Sequence, residues 1–396
     1  MEDIDSWCDE HLPDLYDNGM FDSEEIAENV WEAVEQTMEE TVLCFMDDDD
    51  DDKARETLHD DLIDAANAWF RGHHALVVEA LPAVPEETVA TLQNKPQVAQ
   101  HSADWYAERR NRLTASEFWQ ILGGQRGALK RAKLDPAPAT MDRPTRSPVA
   151  ICQSDGEMVA TSWGHRFEPL VRRIYEEEIA GVGTVCDTLG RFQHQTIPWL
   201  SASPDGIVLT GPLAGRLLEI KSPKTRKPGR FVPDEYHVQM QIQMEVCDLD
   251  AVDFIEAQFA QRPLKLFDSQ FGKLSHDDRK ALKEASWKGR LEVYGIAEKS
   301  ETWTYRYSTP AEDMEDTRFE EPAPKDLSLL ESSVWWLMGW YPRTVLRNRD
   351  WWTGVGWPAA ELFWTEVVSG RESYEQVGES GDHIELVSCN SRWMGR

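Results

Sequence analysis

Two short stretches decide the fold: SASPDG at residues 201–206 and LEIKSP at residues 218–223. Proline and glycine on either side place Asp205 at a turn that follows a short run of strand character. Glu219 and Lys221 stand two positions apart in an apolar, strand-like stretch, so both side chains leave the same face of the strand. Two carboxylates and an ammonium group at one edge of a sheet suit metal-assisted hydrolysis of a phosphodiester bond.

The carboxylates predict a magnesium site, because Mg²⁺ prefers hard oxygen ligands and retains several waters. Asp205 and Glu219 each supply a carboxylate oxygen, and the backbone carbonyl of Ile220 is a candidate third ligand. Lys221 is then placed to orient the attacking water, or to take its proton if burial and the metal lower its pKa. Mn²⁺ suits the same ligands. The alternative interpretation of so short a motif is a surface turn and an edge strand joined by a salt bridge.

Further acidic and amide side chains stand in patterned stretches on either side of this motif. Glu168 falls on the first turn of the helix predicted from residue 163, where its ordinary role is a favourable interaction with the helix dipole. Gln239 and Gln243 fall one helical turn apart in residues 235–247. Alternating apolar residues there favour a strand, whereas the Gln, Met and Glu content favours a helix; we predict a helix.

A basic stretch earlier in the chain predicts a phosphate site. Arg109 is followed by Thr114 and Ser116, and Glu117 stands three residues after Thr114, as in a helix capping box. A guanidinium beside the amides of a helix N-terminus suits a terminal phosphate. The alternative is a solvated basic patch.

The order of these blocks carries a family resemblance. The series W-x3-R-x4-T-A-S, W-G-x3-E-P, S-P-D-G, L-E-I-K-S-P and Q-x-Q resembles the YqaJ viral recombinase family, whose best known type is the phage lambda exonuclease. This family belongs to the PD-(D/E)XK nuclease superfamily. The resemblance covers roughly residues 104–260.

The resemblance implies a role for each block. Asp205, Glu219 and Glu168 match the acidic residues of the metal site, and Lys221 and Gln239 match the catalytic lysine and the active-site glutamine. Arg109 matches the arginine that contacts the 5′-phosphate, with Thr114 and Ser116 in the same block. Lys224 and Arg226, which follow the motif strand, are predicted to contact DNA phosphates without reading sequence.

The resemblance also implies a fold and an activity. The expected fold is α/β (α+β), a restriction-endonuclease-like core with a mixed central sheet flanked by helices. The expected activity is magnesium-dependent exonucleolytic hydrolysis of duplex DNA ends, 5′ to 3′, leaving 3′ single strands for recombination or repair. Expected partners are duplex DNA ends, a single-strand annealing protein and two further copies in a homotrimer. The alternatives are a structure-specific endonuclease on the same core and a non-cleaving DNA-end binder that recruits partners.

Negative charge is concentrated in the N-terminal quarter of the chain. The net charge is -31 over 396 residues, but residues 1–100 hold 28 Asp and Glu against 4 Lys and Arg. The global charge therefore does not exclude a DNA substrate. The six aspartates at 47–52 predict a solvated linker; the alternative is a DNA mimic that occupies a basic groove.

We predict three parts: an acidic, mainly helical extension at 1–100 with the Asp-run linker, the nuclease core at 101–309, and a Trp-rich extension of unknown role at 310–396. Residues 123–160 are rich in Gly, Pro and Arg and predict a long loop whose basic residues help to track DNA. The cysteines are widely spaced and form no CxxC pair, which argues against zinc and iron–sulfur sites. Their spacing is typical of reduced thiols, so we expect an intracellular protein, cytoplasmic or nuclear. No stretch is long and apolar enough to span a bilayer.

Overall fold

The computed structural model describes residues 2–15, 24–42, 52–100, 102–134, 160–227, 232–264, 274–295, 304–308, 318–319 and 321–380. The helices are α1 (Glu2–His11), α2 (Glu24–Thr41), α3 (Asp52–Glu79), α4 (Glu86–Gln93), α5 (Ala103–Glu108), α6 (Ala115–Leu122), α7 (Arg126–Leu134), α8 (Ala160–Tyr175), α9 (Asp234–Cys247), α10 (His276–Glu284), α11 (Arg349–Trp351) and α12 (Trp357–Ser380). The strands are β1 (Leu113–Thr114), β2 (Val185–Cys186), β3 (Phe192–Gln193), β4 (Leu200–Ala202), β5 (Gly206–Val208), β6 (Leu217–Lys221), β7 (Ala251–Leu264), β8 (Lys288–Gly295), β9 (Thr304–Tyr307) and β10 (Ser328–Leu346).

The central sheet is mixed and has the strand order β2-β5-β6-β7-β10-β8-β9. Strand β6 runs parallel to β7, with Leu217 opposite Val252, and the other neighbours pair antiparallel. Helix α8 packs on the face that carries Leu218 and Ile220. Helix α9 packs on the opposite face, against Leu217. The predicted α/β class, a mixed sheet flanked by helices, is confirmed.

A small second sheet brings the two predicted functional regions side by side. Its order is β1-β4-β3, and β1 runs parallel to β4 with Leu113 opposite Leu200. Strand β4 leads into the turn that carries Asp205, while β1 leads directly into α6 at Thr114.

The helix predicted at 235–247 is confirmed as α9. Pro233 precedes its first residue, and Asp234 and Glu235 occupy its first turn, where acidic side chains interact favourably with the helix dipole. Asp248 caps the C-terminus of the helix, and its φ of 57° lies in the left-handed region.

The boundary placed at residue 309 divides one sheet and is corrected. Strand β10 lies between β7 and β8 and pairs with β7 from Ser332 to Leu346. Its aromatic run is buried, with Trp335 at 0% and Trp336 at 3% exposure. Strand β10, which lies after residue 310, is therefore part of the core architecture.

The acidic N-terminal part has its own apolar cluster, built from α1, α2 and α3 around Leu12, Met38 and Phe70. Helix α4 does not belong to it, because Val89 and Leu92 pack into the main core. The core therefore begins before residue 100, which corrects the second boundary. Residues 47–51 of the aspartate run lie outside the described residues, and Asp52 begins α3.

The long loop predicted at 123–160 is wrong for residues 126–134, which form α7. Alanine, leucine, lysine and arginine in this stretch are strong helix formers, and Leu129 and Lys133 are buried. Residues 135–159 lie outside the described part of the chain.

Candidate active site

Strand β6 buries Glu219 and directs it towards α9. The Glu219 side chain is 1% exposed. Its Oε1 accepts a hydrogen bond from the Gln239 amide at 2.7 Å, and its Oε2 accepts one from Gln243 at 2.6 Å. The Lys221 ammonium also donates to Oε1. The two glutamines, one turn apart on α9, therefore fix the carboxylate.

Asp205 is held against the same strand by its backbone and its side chain. Its amide donates to the Leu218 carbonyl at 3.0 Å, and its Oδ2 accepts from the Ile220 amide at 2.7 Å. Burial and the neighbouring charge of Glu219 raise the pKa of Asp205 well above its usual range, although Lys221 and the hydrogen bond from Ile220 oppose this shift. Asp205 and Glu219 are therefore close enough to repel each other.

Lys221 lies between these carboxylates and an aromatic ring. Burial lowers the pKa of its ammonium, but the charges of Glu219 and Asp205 outweigh burial and raise it above the usual value. The nitrogen also stands 4.9 Å from the centre of the Tyr236 ring, within cation–π distance. Lys221 is therefore a charged donor at neutral pH in this arrangement.

Asp205 and Lys221 open onto a cavity of about 430 Å³ at the end of β6. Glu168 enters from the middle of α8 and not from the first turn, where the sequence placed it. Its Oε2 lies 3.8 Å from the His165 ring. Burial raises the pKa of Glu168, but the hydrogen bond from His165 and the charges of His165, Arg172 and Lys221 outweigh burial, so the net shift is downward. The cavity lining is completed by Gly164, Ile220, Ser222, Pro223, Lys224, Arg226 and Tyr236.

The donor set fits a hard divalent cation. Asp205, Glu168 and the Ile220 backbone all line the cavity and offer oxygen atoms, and a cation beside Asp205 and Glu219 would relieve their repulsion. Among the described residues, no group of three or more His, Cys, Asp or Glu side chains is already arranged to hold a metal. Oε1 of Glu219 already accepts from both Lys221 and Gln239, whereas Oε2 accepts from Gln243 alone. A cation bound at Oε1 would therefore displace Lys221.

The residues predicted to bind the 5′-phosphate, Arg109, Thr114 and Ser116, gather at the start of α6 and do not line the cavity. Arg109 pairs with Glu117 at 2.9 Å, and the Thr114 hydroxyl donates to Glu117 at 2.8 Å. The Ser116 hydroxyl lies 3.4 Å from that of Thr114. The predicted capping box is present, and Glu117 is the buried anion around which this region is organised.

Three of the four basic residues of α7 are paired within the protein. Lys133 is buried and donates to Glu117 at 2.8 Å and to the Arg109 carbonyl at 2.7 Å, so it does not reach a DNA strand. Arg126 and Lys130 both pair with Glu366 of α12 but stay partly exposed. The DNA-tracking role of the exposed basic residues of α7 stays a prediction.

We expect Glu117→Gln to lower the free energy of unfolding by about 3–5 kcal/mol, because it leaves the Lys133 ammonium buried without an anion. Burial raises the pKa of Glu117, but Lys133 and Arg109 reverse this and lower it below 4.5. The stabilisation is therefore present above pH 4.5 and lost as the pH falls through the lowered value. Urea unfolding at neutral and acidic pH measures both effects.

Glu366→Gln is the matched control, because it breaks pairs that are more exposed and contribute about 1 kcal/mol or less. A loss in Glu117→Gln no larger than in this control would contradict the role given to Glu117.

Two features of the cavity escaped the sequence analysis, namely the residue Tyr236 and the ion pair made by Arg226. Tyr236 stands one helical turn before Gln239 on α9, so helical spacing could have found it. Arg226 was predicted as a phosphate contact, but its pairing with Glu256 was not foreseen. Thirty residues separate the two along the chain, and no local pattern connects them.

None of the described helices has the length and apolar character needed to cross a bilayer.

Comparisons with known proteins agree with the sequence resemblance. Residues 104–250 match the family model of the YqaJ-like viral recombinase domain. An uncharacterized protein of Acanthamoeba polyphaga mimivirus is 24% identical over 262 residues, a match that spans 53% of this chain and 44% of that relative. This chain thus spans less than half the length of that relative.

Two solved structures are similar over most of their own length. The alkaline exonuclease of Laribacter hongkongensis has a TM-score of 0.36 and 18% identity, covering 70% of this chain and 99% of that one. A phage related exonuclease from Haemophilus somnus has a TM-score of 0.30 and 12% identity, covering 68% and 96%.

Proposed function

We propose that the protein is a divalent-metal-dependent exonuclease acting on duplex DNA ends, because residues 104–250 match the family model of the YqaJ-like viral recombinase domain. The observation that carries this proposal is the meeting of Asp205, Glu219 and Lys221 at the end of β6, beside the cavity. Degradation runs 5′ to 3′ and leaves a 3′ single strand for recombination or repair, as the family resemblance implies.

Each residue has a defined task in this mechanism. Asp205, Glu219 and the Ile220 carbonyl hold Mg²⁺ or Mn²⁺, with Glu168 as a further acidic ligand. The ion, when bound, supplies charge that stabilises the transition state and lowers the pKa of the attacking water. Gln239 orients Glu219 through its amide. Lys221, once released by Glu219, holds the attacking water against the phosphate.

The test is a linear duplex labelled at both 5′ ends, incubated with and without Mg²⁺, with the products sized on a gel. The proposal expects Mg²⁺-dependent release of mononucleotides from the linear duplex and no attack on a covalently closed plasmid. Nicking or linearisation of the closed plasmid would instead indicate a structure-specific endonuclease. Binding without any metal-dependent cleavage would indicate an end-binding recruitment protein.

Arg109→Ala is expected to lower the preference for 5′-phosphorylated over 5′-hydroxyl ends by roughly 10-fold to 150-fold, because a charge-assisted hydrogen bond contributes about 1.5–3 kcal/mol. The ratio of rates on the two ends is the measurement, since it cancels any general loss of stability. Arg110→Ala, on the same helical turn, is the control. An unchanged ratio in Arg109→Ala would remove this residue from end recognition.

The proposed product also suggests partners. A 3′ single strand is a substrate for a single-strand annealing protein, and the family resemblance implies a homotrimer around the duplex. Light scattering coupled to gel filtration tests the trimer, and a monomer at working concentration would exclude it.

A further inference from the structure

Glu256 is a buried carboxylate that the proposed chemistry does not use. It lies on β7 directly beside Lys221, its Cα partner across the parallel β6–β7 pairing. Its side chain is 3% exposed, and Ile255 and Ala257 on either side of it are buried. A carboxylate removed from water in this way is costly unless a cation compensates it.

The compensating cation is Arg226, which stands in the wall of the cavity. Its Nη2 donates to Glu256 Oε1, and its Nη1 lies 3.5 Å from Oε2, so the pair is bidentate. The Arg226 side chain is 40% exposed and lines the cavity beside Lys224 and Tyr236. The ion pair thus reaches from the interior of the sheet to the surface that faces a substrate.

The position of the Arg226 side chain depends on this contact more than on regular secondary structure of its backbone. Residues 222–227 follow β6 and contain neither helix nor strand. An unrestrained arginine samples many rotamers and loses that freedom when it binds a phosphate. Glu256 restricts the guanidinium beforehand, and a guanidinium has five N–H donors, of which a bidentate carboxylate takes two.

We propose that Glu256 is a positioning residue that holds Arg226 in the cavity wall, ready to bind a backbone phosphate of the DNA strand. This inference rests on the proposed function, because it requires a DNA substrate. A simpler role makes the opposite prediction: if Glu256 only neutralises Arg226, removing its charge strengthens DNA binding.

The test measures the Kd for a short 5′-phosphorylated duplex in EDTA, where turnover does not interfere. We expect Glu256→Gln, which keeps the shape and removes the charge, to weaken binding roughly fivefold to tenfold, because Arg226 regains rotamer freedom. Arg226→Gln weakens binding to a similar extent. The double variant binds no more weakly than Arg226→Gln, because both substitutions remove the same contact.

Glu331→Gln is the matched control. Glu331 forms a bidentate pair with the buried Arg166 on the same sheet but outside the cavity lining. Its substitution is expected to leave the Kd unchanged, and thermal unfolding of every variant separates loss of binding from loss of folding.

The outcomes are distinguishable. Unchanged or tighter binding by Glu256→Gln, or additive losses in the double variant, would overturn the positioning role while the proposed nuclease stands. A wild-type protein that binds no duplex at any salt concentration would overturn the proposed function, and the role of Glu256 with it.

Discussion

Lys221→Ala is expected to lower the rate of phosphodiester cleavage by roughly 10³-fold, within the range contributed by a positioned proton-transfer group. The ammonium donates to Glu219 and lies over the Tyr236 ring at the edge of the cavity. Alanine removes this donor but leaves Glu219 fixed by Gln239 and Gln243. The carboxylates therefore stay in place, and cleavage is lost for want of the group that holds the water.

Duplex binding by Lys221→Ala is expected to stay within about threefold of wild type, because the mechanism assigns Lys221 to the attacking water and not to the phosphates that hold the duplex. Single-turnover cleavage and Kd measurements separate the two effects. Lys224→Ala is the control, since Lys224 lines the same cavity and is expected to change binding more than turnover. Cleavage by Lys221→Ala at the wild-type rate would refute the assigned mechanism.

The sequence was sufficient for the part of the site that short-range pattern determines. Glu219 and Lys221 share a strand face because side chains alternate with a period of two, and the structure joins them directly. Asp205 lies in the turn that the flanking proline and glycine predict, and its amide donates to the Leu218 carbonyl of β6. These relations need few long-range contacts, so composition and spacing were enough.

Helix α9 shows why periodicity alone misleads. Met240, Ile242 and Met244 are buried, but so are Gln241 and Gln243 between them. The helix packs against the sheet, and it also makes extensive contact with α6, so both polar and apolar side chains are enclosed. A helix buried on most sides has no amphipathic stripe, and residue preference together with the family resemblance identified it.

The sequence could not reveal the long-range pairings. Strand β10 enters the sheet between β7 and β8 although α10 and both strands of the β8–β9 hairpin come between β7 and β10 in the chain. Its run of tryptophans identifies an apolar stretch but does not indicate which strands it pairs with. The pair Glu256–Arg226 and the buried Lys133–Glu117 pair likewise join separate elements, and a buried ion pair leaves no periodic signal.

Asp205→Asn is expected to abolish metal-dependent cleavage and also to stabilise the metal-free protein. Burial and the charge of Glu219 raise the pKa of Asp205 above its unfolded value. A group shifted in this direction favours folding at low pH, and its contribution is lost as the pH rises through the folded pKa. Asparagine carries no charge and keeps an oxygen that can accept the hydrogen bond from Ile220, so it avoids that loss.

The unfolding temperature of Asp205→Asn should therefore exceed that of wild type without metal, by a margin that widens as the pH rises from the unfolded pKa of an aspartate, about 3.9, through the raised pKa of the folded state. Mg²⁺ should reverse the order. A ligand bound only by the folded state adds about 2.7 kcal/mol of stability at a concentration of 100 times its Kd, and this gain belongs to wild type, which retains the carboxylate.

Asp250→Asn is the control, because Asp250 forms an exposed pair with Arg349 and lies outside the cavity lining; it should change neither the metal response nor the pH dependence. Thermal melts of the three proteins, with Mg²⁺ and with EDTA, measure the metal site without reference to catalysis. A wild-type protein whose unfolding temperature ignores Mg²⁺ and Mn²⁺, or a metal-free Asp205→Asn variant that melts below wild type, would show that Asp205 and Glu219 do not form a strained, cation-binding pair.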